Sequence, residues 1–161
     1  MNRETENELS LSPENMADLI SAALATGNGF KFKVTGFSMA PFIKNKDVVV
    51  LVPIDSGIVE VGDVLACMDR STDRLVLHRV VAREDTSYIL KGDNTLTPDS
   101  PMNEESILGR VAGIERNGRS MTLSLGVEKW AIAFLSRIGL LARVIYWARL
   151  LARGKATLFS L

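Results

Sequence analysis

Residues 61–94, VGDVLACMDRSTDRLVLHRVVAREDTSYILKGDN, contain three short runs rich in Val, Ile and Leu. The runs lie at residues 63–68, 74–82 and 87–91, and the segments between them contain Asp and Ser, which favour turns. Short apolar runs that are divided by turn residues are typical of antiparallel β structure. This stretch therefore predicts an antiparallel β domain.

The same pattern extends on both sides of this stretch. Further runs of the same kind predict strands at residues 30–34, 47–52, 107–115 and 120–125. The chain contains no internal repeat and no low-complexity segment that would indicate a different architecture. The expected fold class is therefore mainly β, with helices only towards the two ends of the chain.

Both ends of the chain carry helical signals. Residues up to Ser10 are polar and acidic and are expected to be disordered; Ser12 followed by Pro13 is typical of a helix start, and Gly-Asn-Gly at residues 27–29 ends the helix. Residues 127–153 have helical composition, but their arginines recur every six residues and do not share one helix face. The predicted division is an acidic tail and short helix at 1–28, a β domain at 29–126, and a basic, aromatic helical segment at 127–161.

The composition excludes several classes of protein. Nineteen basic and nineteen acidic residues give zero net charge, so the chain offers no broad attraction for nucleic acid. Cys67 is the only cysteine, which rules out an internal disulfide or a thiolate zinc cluster, and its apolar neighbours predict a buried strand residue. The N-terminus resembles no secretion signal, and no run reaches the roughly 18 uncharged apolar residues of a spanning helix. We expect a cytoplasmic or peripherally membrane-associated protein.

A candidate nucleophile lies in the turn after the first predicted strand, TGFSMAP at residues 35–41. Ser38 stands between the flexible Gly36 and Pro41, which can hold a hydroxyl exposed at a bend where backbone amides could receive an oxyanion. Most serines in such surroundings are simple turn residues. A serine hydroxyl also needs a base that accepts its proton before it becomes a good nucleophile.

His78 is the only histidine in the chain. Alternation along its predicted strand places it with Val76 and Val80 on an apolar face. A histidine in that position is either a structural residue or a general base for a hydroxyl. The loop that follows contains Asp93 and Asp99, and either carboxylate could orient and stabilise an imidazolium; alternatively, the loop is a solvated turn.

Four motifs occur in a fixed order along the chain: Gly36-x-Ser38-Met39-x-Pro41, Val61-Gly62-Asp63-Val64, His78-Arg79-Val80-Val81 and Lys91-Gly92-Asp93-Asn94. Their order resembles that of the signal peptidases of the endoplasmic-reticulum and archaeal type, which use His where the common bacterial type uses Lys. The forty-residue spacing from Ser38 to His78, and the six residues from Asp93 to Asp99, are similar to the family's spacing. The resemblance spans residues 30–115 and implies a compact antiparallel β fold shared with the self-cleaving LexA-type repressors.

The resemblance also implies an activity, namely a serine endopeptidase that hydrolyses a peptide or preprotein after a small residue. It implies that Ser38 is the nucleophile, His78 the general base and Asp99 its orienter, with Asp93 as structural support or as the substitute for Asp99. No metal or cofactor is implied. The implied substrate and oxyanion contacts are Gly36, Phe37, Met39 and Asp93.

Other interpretations remain open at this point. Signal peptidases usually carry a membrane-spanning helix before the serine, whereas the helix predicted here is short and contains Asp18. Residues 127–153, with Trp130, Tyr146, Trp147 and a basic surplus, fit peripheral membrane contact or a partner groove, or they fold back onto the β domain. The alternative function is a non-catalytic module that binds peptides on the same fold. A LexA-like regulator is disfavoured, because one N-terminal helix cannot form a helix-turn-helix.

Overall fold

The computed structural model describes residues 11–54, 59–121 and 126–158. Within these residues, eight strands form one sheet with antiparallel pairing throughout, preceded by one helix and followed by two. The predicted fold class, a mainly antiparallel β fold with a short N-terminal helix and a C-terminal helical segment, is therefore confirmed. The predicted tail up to Ser10 and the end of the last predicted strand, residues 122–125, lie outside the described residues. The predicted domain boundaries stay predictions.

The elements follow one another in the order helix, strands, helices. The helices are α1 (Pro13–Ala25), α2 (Lys129–Arg137) and α3 (Leu140–Leu158). The strands are β1 (Phe30–Lys33), β2 (Val48–Val52), β3 (Val64–Asp69), β4 (Arg74–Glu84), β5 (Ser87–Lys91), β6 (Met102–Asn103), β7 (Ile107–Arg116) and β8 (Arg119–Met121). A 3-10 helix at Glu104–Ser106 joins β6 to β7, and the sequence pattern predicts neither this helix nor β6.

The strand order is β1-β2-β7-β3-β4-β5-β6, with β8 paired to the end of β7. Strands β3, β4 and β5 are consecutive neighbours, so residues 61–94 form an antiparallel meander. In its register, His78 of β4 faces Leu65 of β3, and Arg79 faces Lys91 of β5. Because successive side chains of a strand point to opposite faces, His78 and Arg79 serve different sides of the sheet.

An apolar cluster lies on each side of β3. The first apolar cluster contains Val64 and Ala66 and is completed by α1. The second contains Leu65 and Cys67 and is completed by β4, β5 and β6. Cys67 has no exposed surface, as its apolar neighbours predict. Burying each Val or Leu side chain stabilises the fold by about 1.5–3 kcal/mol. Burial on both faces explains why β3 is a continuous apolar run in the sequence.

Helix α1 begins where the sequence predicts and lies close to β7. The hydroxyl oxygen of Ser12 accepts a hydrogen bond from the backbone N–H of Asn15 at 3.2 Å, which caps the helix. On β7, a Cβ atom at Gly109 would lie 2.6 Å from Leu24 Cδ1 and 2.9 Å from the carbonyl oxygen of Val52. A glycine at this position therefore allows α1 to close over the first apolar cluster.

A partly buried ion pair joins the turn before β2 to the end of β7. The carboxylate of Asp47 accepts hydrogen bonds from Arg116 Nε at 2.8 Å and Arg116 Nη2 at 2.7 Å, and Arg116 also donates to the carbonyl oxygen of Phe42. Burial alone raises the pKa of Asp47, but the bonds from Arg116 and from the backbone of Lys44 outweigh burial and lower it. The pair fixes the far end of the loop between β1 and β2.

The C-terminal segment breaks into two helices at Gly139, which has a φ of 70°. Helix α2 packs against β4, α3 packs against α2, and the two helices meet at a bend of 87°. In the part of the chain that the structure describes, no single helix has the length and apolarity to cross a membrane, although the bent pair Lys129–Arg137 and Leu140–Ala148 meets both criteria together.

Candidate active site

Ser38 lies in the loop between β1 and β2, which backbone hydrogen bonds close. The N–H of Val34 donates to the carbonyl oxygen of Asp47, and the N–H of Lys46 donates to that of Val34, both at 2.8 Å. Within the loop, Gly36 has a φ of 109°, a conformation that side chains rarely adopt. This geometry holds Ser38, half-buried, at the bend that the Gly-x-Ser motif predicts.

The residues on either side of Ser38 face different surroundings. Phe37 is exposed to solvent, whereas Met39 is buried in the first apolar cluster. The N–H of Gly36 donates to the side-chain oxygen of Asn45 at 3.2 Å, which supports the start of the bend. Of the residues with an implied substrate contact, Phe37 therefore presents its side chain to solvent, and Met39 has only its backbone to offer.

Asn94 holds the Ser38 loop against the loop that follows β5. Its backbone N–H donates to the carbonyl oxygen of Ser38 at 2.7 Å, and its side-chain amide donates to the carbonyl oxygen of Phe37 at 3.0 Å. Two hydrogen bonds from one residue thus join segments far apart in the chain. Sequence reasoning missed this role, although Asn94 is part of the Lys-Gly-Asp-Asn motif.

Gly92 occupies the space where the Ser38 loop and His78 approach each other. A Cβ atom at this position would lie 2.8 Å from the carbonyl oxygen of Ser38 and 3.1 Å from His78 Nε2. Contacts under 3.0 Å are not tolerated without a shift of the neighbouring atoms. The absence of a side chain at Gly92 therefore allows the Ser38 loop to lie beside the imidazole.

His78 and Asp99 are in direct contact. His78 Nδ1 lies 2.5 Å from Asp99 Oδ2, and the backbone N–H of Asp99 donates to the carbonyl oxygen of Leu90 at 2.9 Å, which fixes the carboxylate. When the N–H at Nδ1 donates a hydrogen bond to the carboxylate, Nε2 carries the lone pair, and this atom lies beside Gly92. An imidazole in this state can accept a proton from an alcohol.

Asp93 has a different partner. Its carboxylate accepts hydrogen bonds from Arg79 Nε at 2.9 Å and Arg79 Nη2 at 2.8 Å, and neither side chain has exposed surface. Arg79 also donates to the carbonyl oxygen of Gly62. Burial raises the pKa of Asp93, and the bonds from Arg79 act against that rise. A substrate contact through this carboxylate does not fit its burial; Asp93 instead joins β4 to the turn that contains Gly92 and Asn94.

Lys91, immediately before this turn, is only 1% exposed. Its ammonium group donates to the backbone carbonyl oxygen of Ser136 in α2. Burial lowers the pKa of Lys91, and the nearby Asp93 opposes the change. The contact connects the candidate site to the C-terminal segment. No sequence signal marks it, because the acceptor is a backbone atom 45 residues away.

In the candidate site, His78 contacts Asp99 directly, whereas the Ser38 loop is placed beside them through other residues. His78 and Asp99 touch, while Gly92 and Asn94 bring the Ser38 loop beside them. An alcohol, an imidazole and a carboxylate are one set of groups that can carry out acyl transfer. Among the residues that the structure describes, no group of three or more His, Cys, Asp or Glu side chains could hold a metal ion.

A comparison with known protein families covers the same part of the chain. A family model described as Peptidase S24-like matches residues 3–112, which contain Ser38, His78 and Asp99. The comparison with curated proteins finds none that matches. The matched residues are more than half of the 161 in the chain. The chain therefore belongs to the Peptidase S24-like family, whose members are generally serine peptidases.

Proposed function

We propose that the protein is a serine endopeptidase in which Ser38 is the nucleophile, His78 the general base and Asp99 the residue that orients His78. The observation that carries this proposal is the 2.5 Å contact between His78 Nδ1 and Asp99 Oδ2. His78 Nε2 lies beside Gly92, which also lies next to the carbonyl oxygen of Ser38. Membership of a family of serine peptidases supports the same reaction class.

The reaction has two stages. In the first, Ser38 Oγ bonds to the carbonyl carbon of the peptide while its proton moves to His78 Nε2, and the C–N bond breaks as that proton passes to the leaving amine. In the second, water gives a proton to His78 while its oxygen bonds to the carbonyl carbon of the resulting ester. The bond from that carbon to Ser38 Oγ then breaks as His78 passes the proton to Oγ, which releases the carboxylic acid and restores Ser38. Asp99 stabilises the imidazolium in both stages.

Backbone N–H groups around Ser38 stabilise the negative charge that develops on the carbonyl oxygen of the substrate. The open space at Gly36 supports this role, since a Cβ atom there would meet no heavy atom within 4 Å beyond its chain neighbours. A peptide can therefore approach the loop closely. Removing one donor of this kind from a serine peptidase typically lowers kcat by about 10²–10³-fold.

The specificity follows from the resemblance to the His-type signal peptidases. We expect a small residue such as Ala immediately before the cut, and a second small or aliphatic side chain two residues earlier. The substrate is an extended segment of a peptide or preprotein that lies along a strand edge.

Cleavage of a peptide with Ala before the scissile bond tests the catalytic roles. Ser38→Ala and His78→Ala are each expected to lower kcat by about 10⁴-fold or more, because each removes a group that takes part in proton transfer. Asp99→Asn is expected to lower it by about 10³–10⁴-fold. Ser120→Ala, at an exposed serine on β8, is the matched control and should cleave like the parent. Circular dichroism checks that each variant is folded.

A fluorophosphonate probe that reacts with activated serines separates catalysis from binding. Labelling of Ser38 that disappears in His78→Ala supports the peptidase. An unlabelled Ser38 combined with tight peptide binding would instead establish the non-catalytic peptide-binding module. If Ser38→Ala cleaves the peptide as fast as the parent, the nucleophile is not Ser38.

A further inference from the structure

The C-terminal helices carry an unusually apolar surface. Large apolar side chains here are at least 44% exposed, and both tryptophans of the chain are among them. Large contiguous apolar patches are rare on soluble monomers, and here exposed apolar side chains recur in both α2 and α3. We call these residues the C-terminal apolar surface: Val127, Trp130, Phe134, Ile138, Leu140, Val144, Tyr146, Trp147 and Leu150.

The opposite face of α2 is held by the β domain, so the exposed residues cannot turn inward. Ile132, Ala133 and Ser136 are buried, and the carbonyl oxygen of Ser136 accepts the hydrogen bond from Lys91. Lys129, at the start of α2, donates to Asp63 at 2.7 Å and also pairs with Glu60. Helix α2 is therefore anchored on one face and apolar on the other.

The charge of this segment differs from that of the whole chain. Residues 127–161, which include the whole of this surface, contain six bases and one acid, Glu128, whereas the complete chain has zero net charge. Arg137 and Arg143 are exposed next to the apolar residues. The bases of the segment are Lys129, Arg137, Arg143, Arg149, Arg153 and Lys155.

We propose that the C-terminal apolar surface docks peripherally on a lipid bilayer that contains anionic phospholipids. Exposed Trp and Tyr rings suit the interface between headgroups and acyl chains, and the surplus of basic residues, with Arg137 and Arg143 exposed, suits an anionic headgroup layer. This inference does not depend on the catalytic assignment.

Two other arrangements fit the observations less well. A symmetric dimer through this surface would bring two basic segments together, with Glu128 as the one carboxylate that residues 127–161 of each copy supply. A membrane-spanning arrangement would require the 87° bend between α2 and α3 to straighten and α2 to leave its contacts with β4. Peripheral docking requires neither change.

Vesicle binding by the full chain tests the proposal. Co-sedimentation is measured with vesicles of phosphatidylcholine alone and of phosphatidylcholine mixed with phosphatidylglycerol. We expect binding to the mixed vesicles, and a loss of about tenfold or more in Trp130→Ser/Phe134→Ser because two large apolar side chains no longer enter the bilayer. Leu19→Ser, at a 46% exposed leucine on α1, is the matched control and should bind like the parent.

The charge of the segment is tested separately. Arg137→Gln/Arg143→Gln should lower the affinity for mixed vesicles roughly tenfold or more and leave the weaker binding to phosphatidylcholine nearly unchanged. Because Trp130 and Trp147 are the only tryptophans, a blue shift of the emission on adding vesicles reports the burial of this surface alone. Val144→Ser/Trp147→Ser, on α3, provides a second variant in case the α2 variant does not fold.

The proposal is overturned if the folded parent binds neither type of vesicle and its tryptophan emission does not shift. It is also overturned if sedimentation equilibrium shows a dimer that Trp130→Ser/Phe134→Ser dissociates while vesicle binding is absent, which would make the surface an interface between copies. Equal loss of binding in Leu19→Ser would contradict the assignment to this surface.

Discussion

The backbone N–H of Asn94 donates a 2.7 Å hydrogen bond to the carbonyl oxygen of Ser38, so the loop after β5 fixes the position of the candidate nucleophile. The side chain of Asn94 adds a second bond, to the carbonyl oxygen of Phe37. Both acceptors are backbone atoms. The position of Ser38 relative to His78 therefore depends on how these two loops are held together.

Replacing Asn94 tests whether this residue positions Ser38 without itself taking part in the reaction. Asn94→Ala keeps the backbone bond and removes the side-chain bond, so we expect about a tenfold loss of kcat and about 1 kcal/mol of unfolding free energy. Asn94→Asp should be worse, because a carboxylate would face the carbonyl oxygen of Phe37 without a proton to donate. Peptide cleavage and urea unfolding measure both effects, with Asn28→Ala as the exposed control. Parent-like cleavage by both Asn94 variants would contradict the role.

Gly92 offers a test of the distance between the Ser38 loop and the imidazole. In Gly92→Ala the added methyl group would lie 2.8 Å from the carbonyl oxygen of Ser38, so the loop must move away from His78. A displacement of about 1 Å lowers catalysis by roughly 10²-fold, and we expect a loss of that size in kcat. Gly113→Ala, whose new methyl group would have ordinary contacts with Val50, should retain activity. Equal activity of the two variants would show that the space at Gly92 does not matter.

The buried pair of Arg79 and Asp93 should affect stability more than chemistry. Arg79→Met leaves the Asp93 carboxylate without its partner in a site with no exposed surface, at a cost of about 3–5 kcal/mol in unfolding free energy. The double variant Arg79→Met/Asp93→Leu should recover part of that loss, because the buried carboxylate is removed together with its hydrogen-bond partner. Urea unfolding of the single and double variants measures the coupling, with Arg119→Met as the exposed control. A loss below about 1 kcal/mol in Arg79→Met would contradict this prediction.

The ion pair of Asp47 and Arg116 predicts a dependence of stability on pH. The pKa of Asp47 in the folded protein lies below its ordinary value of 3.8, so the unfolded chain takes up the proton first as the pH falls. The contribution of Asp47 is therefore complete above pH 3.8 and is lost as the pH falls from there through the lowered pKa.

Urea unfolding of the parent and of Asp47→Asn at a series of pH values measures this contribution. The difference in unfolding free energy should be constant near neutrality and should shrink below pH 3.8. Asp18→Asn, at an exposed aspartate on α1, should follow the parent throughout. Parallel curves for the parent and Asp47→Asn at acid pH would exclude a lowered pKa for Asp47.

Most of the sheet could be predicted from the sequence, because its strands are apolar runs bounded by turn residues. Strand β6 could not, since Met102–Asn103 is too short to show alternation and forms only because β5 provides a partner. The helix break at Gly139 was not predicted, because residues 127–153 have helical composition on both sides of this glycine. A strand as short as β6 depends on its tertiary partners rather than on a local sequence pattern.

The sequence likewise indicates some residues of the candidate site and not others. Residue type marks Ser38 and His78 as candidates, because few side chains can serve as nucleophile and base, while the preference for Asp99 over Asp93 comes from the resemblance to the His-type signal peptidases. The contacts of Asn94 and Lys91 could not be identified, because their acceptors are backbone carbonyl oxygens, which every residue carries. Nor does the sequence reveal that Asp93 pairs with Arg79, since that choice depends on which face of β4 the turn reaches.

Because Cys67 is buried, the reactivity of its thiol reports local opening of the sheet around β3. Burial, with a smaller contribution from the nearby Asp99, raises the pKa of this thiol to about 12. Thiol reagents require an accessible thiolate, so they can react only when β3 separates from its neighbours. Because no other cysteine competes for the reagent, the labelling rate of the native chain measures how often the centre of the sheet becomes exposed to solvent.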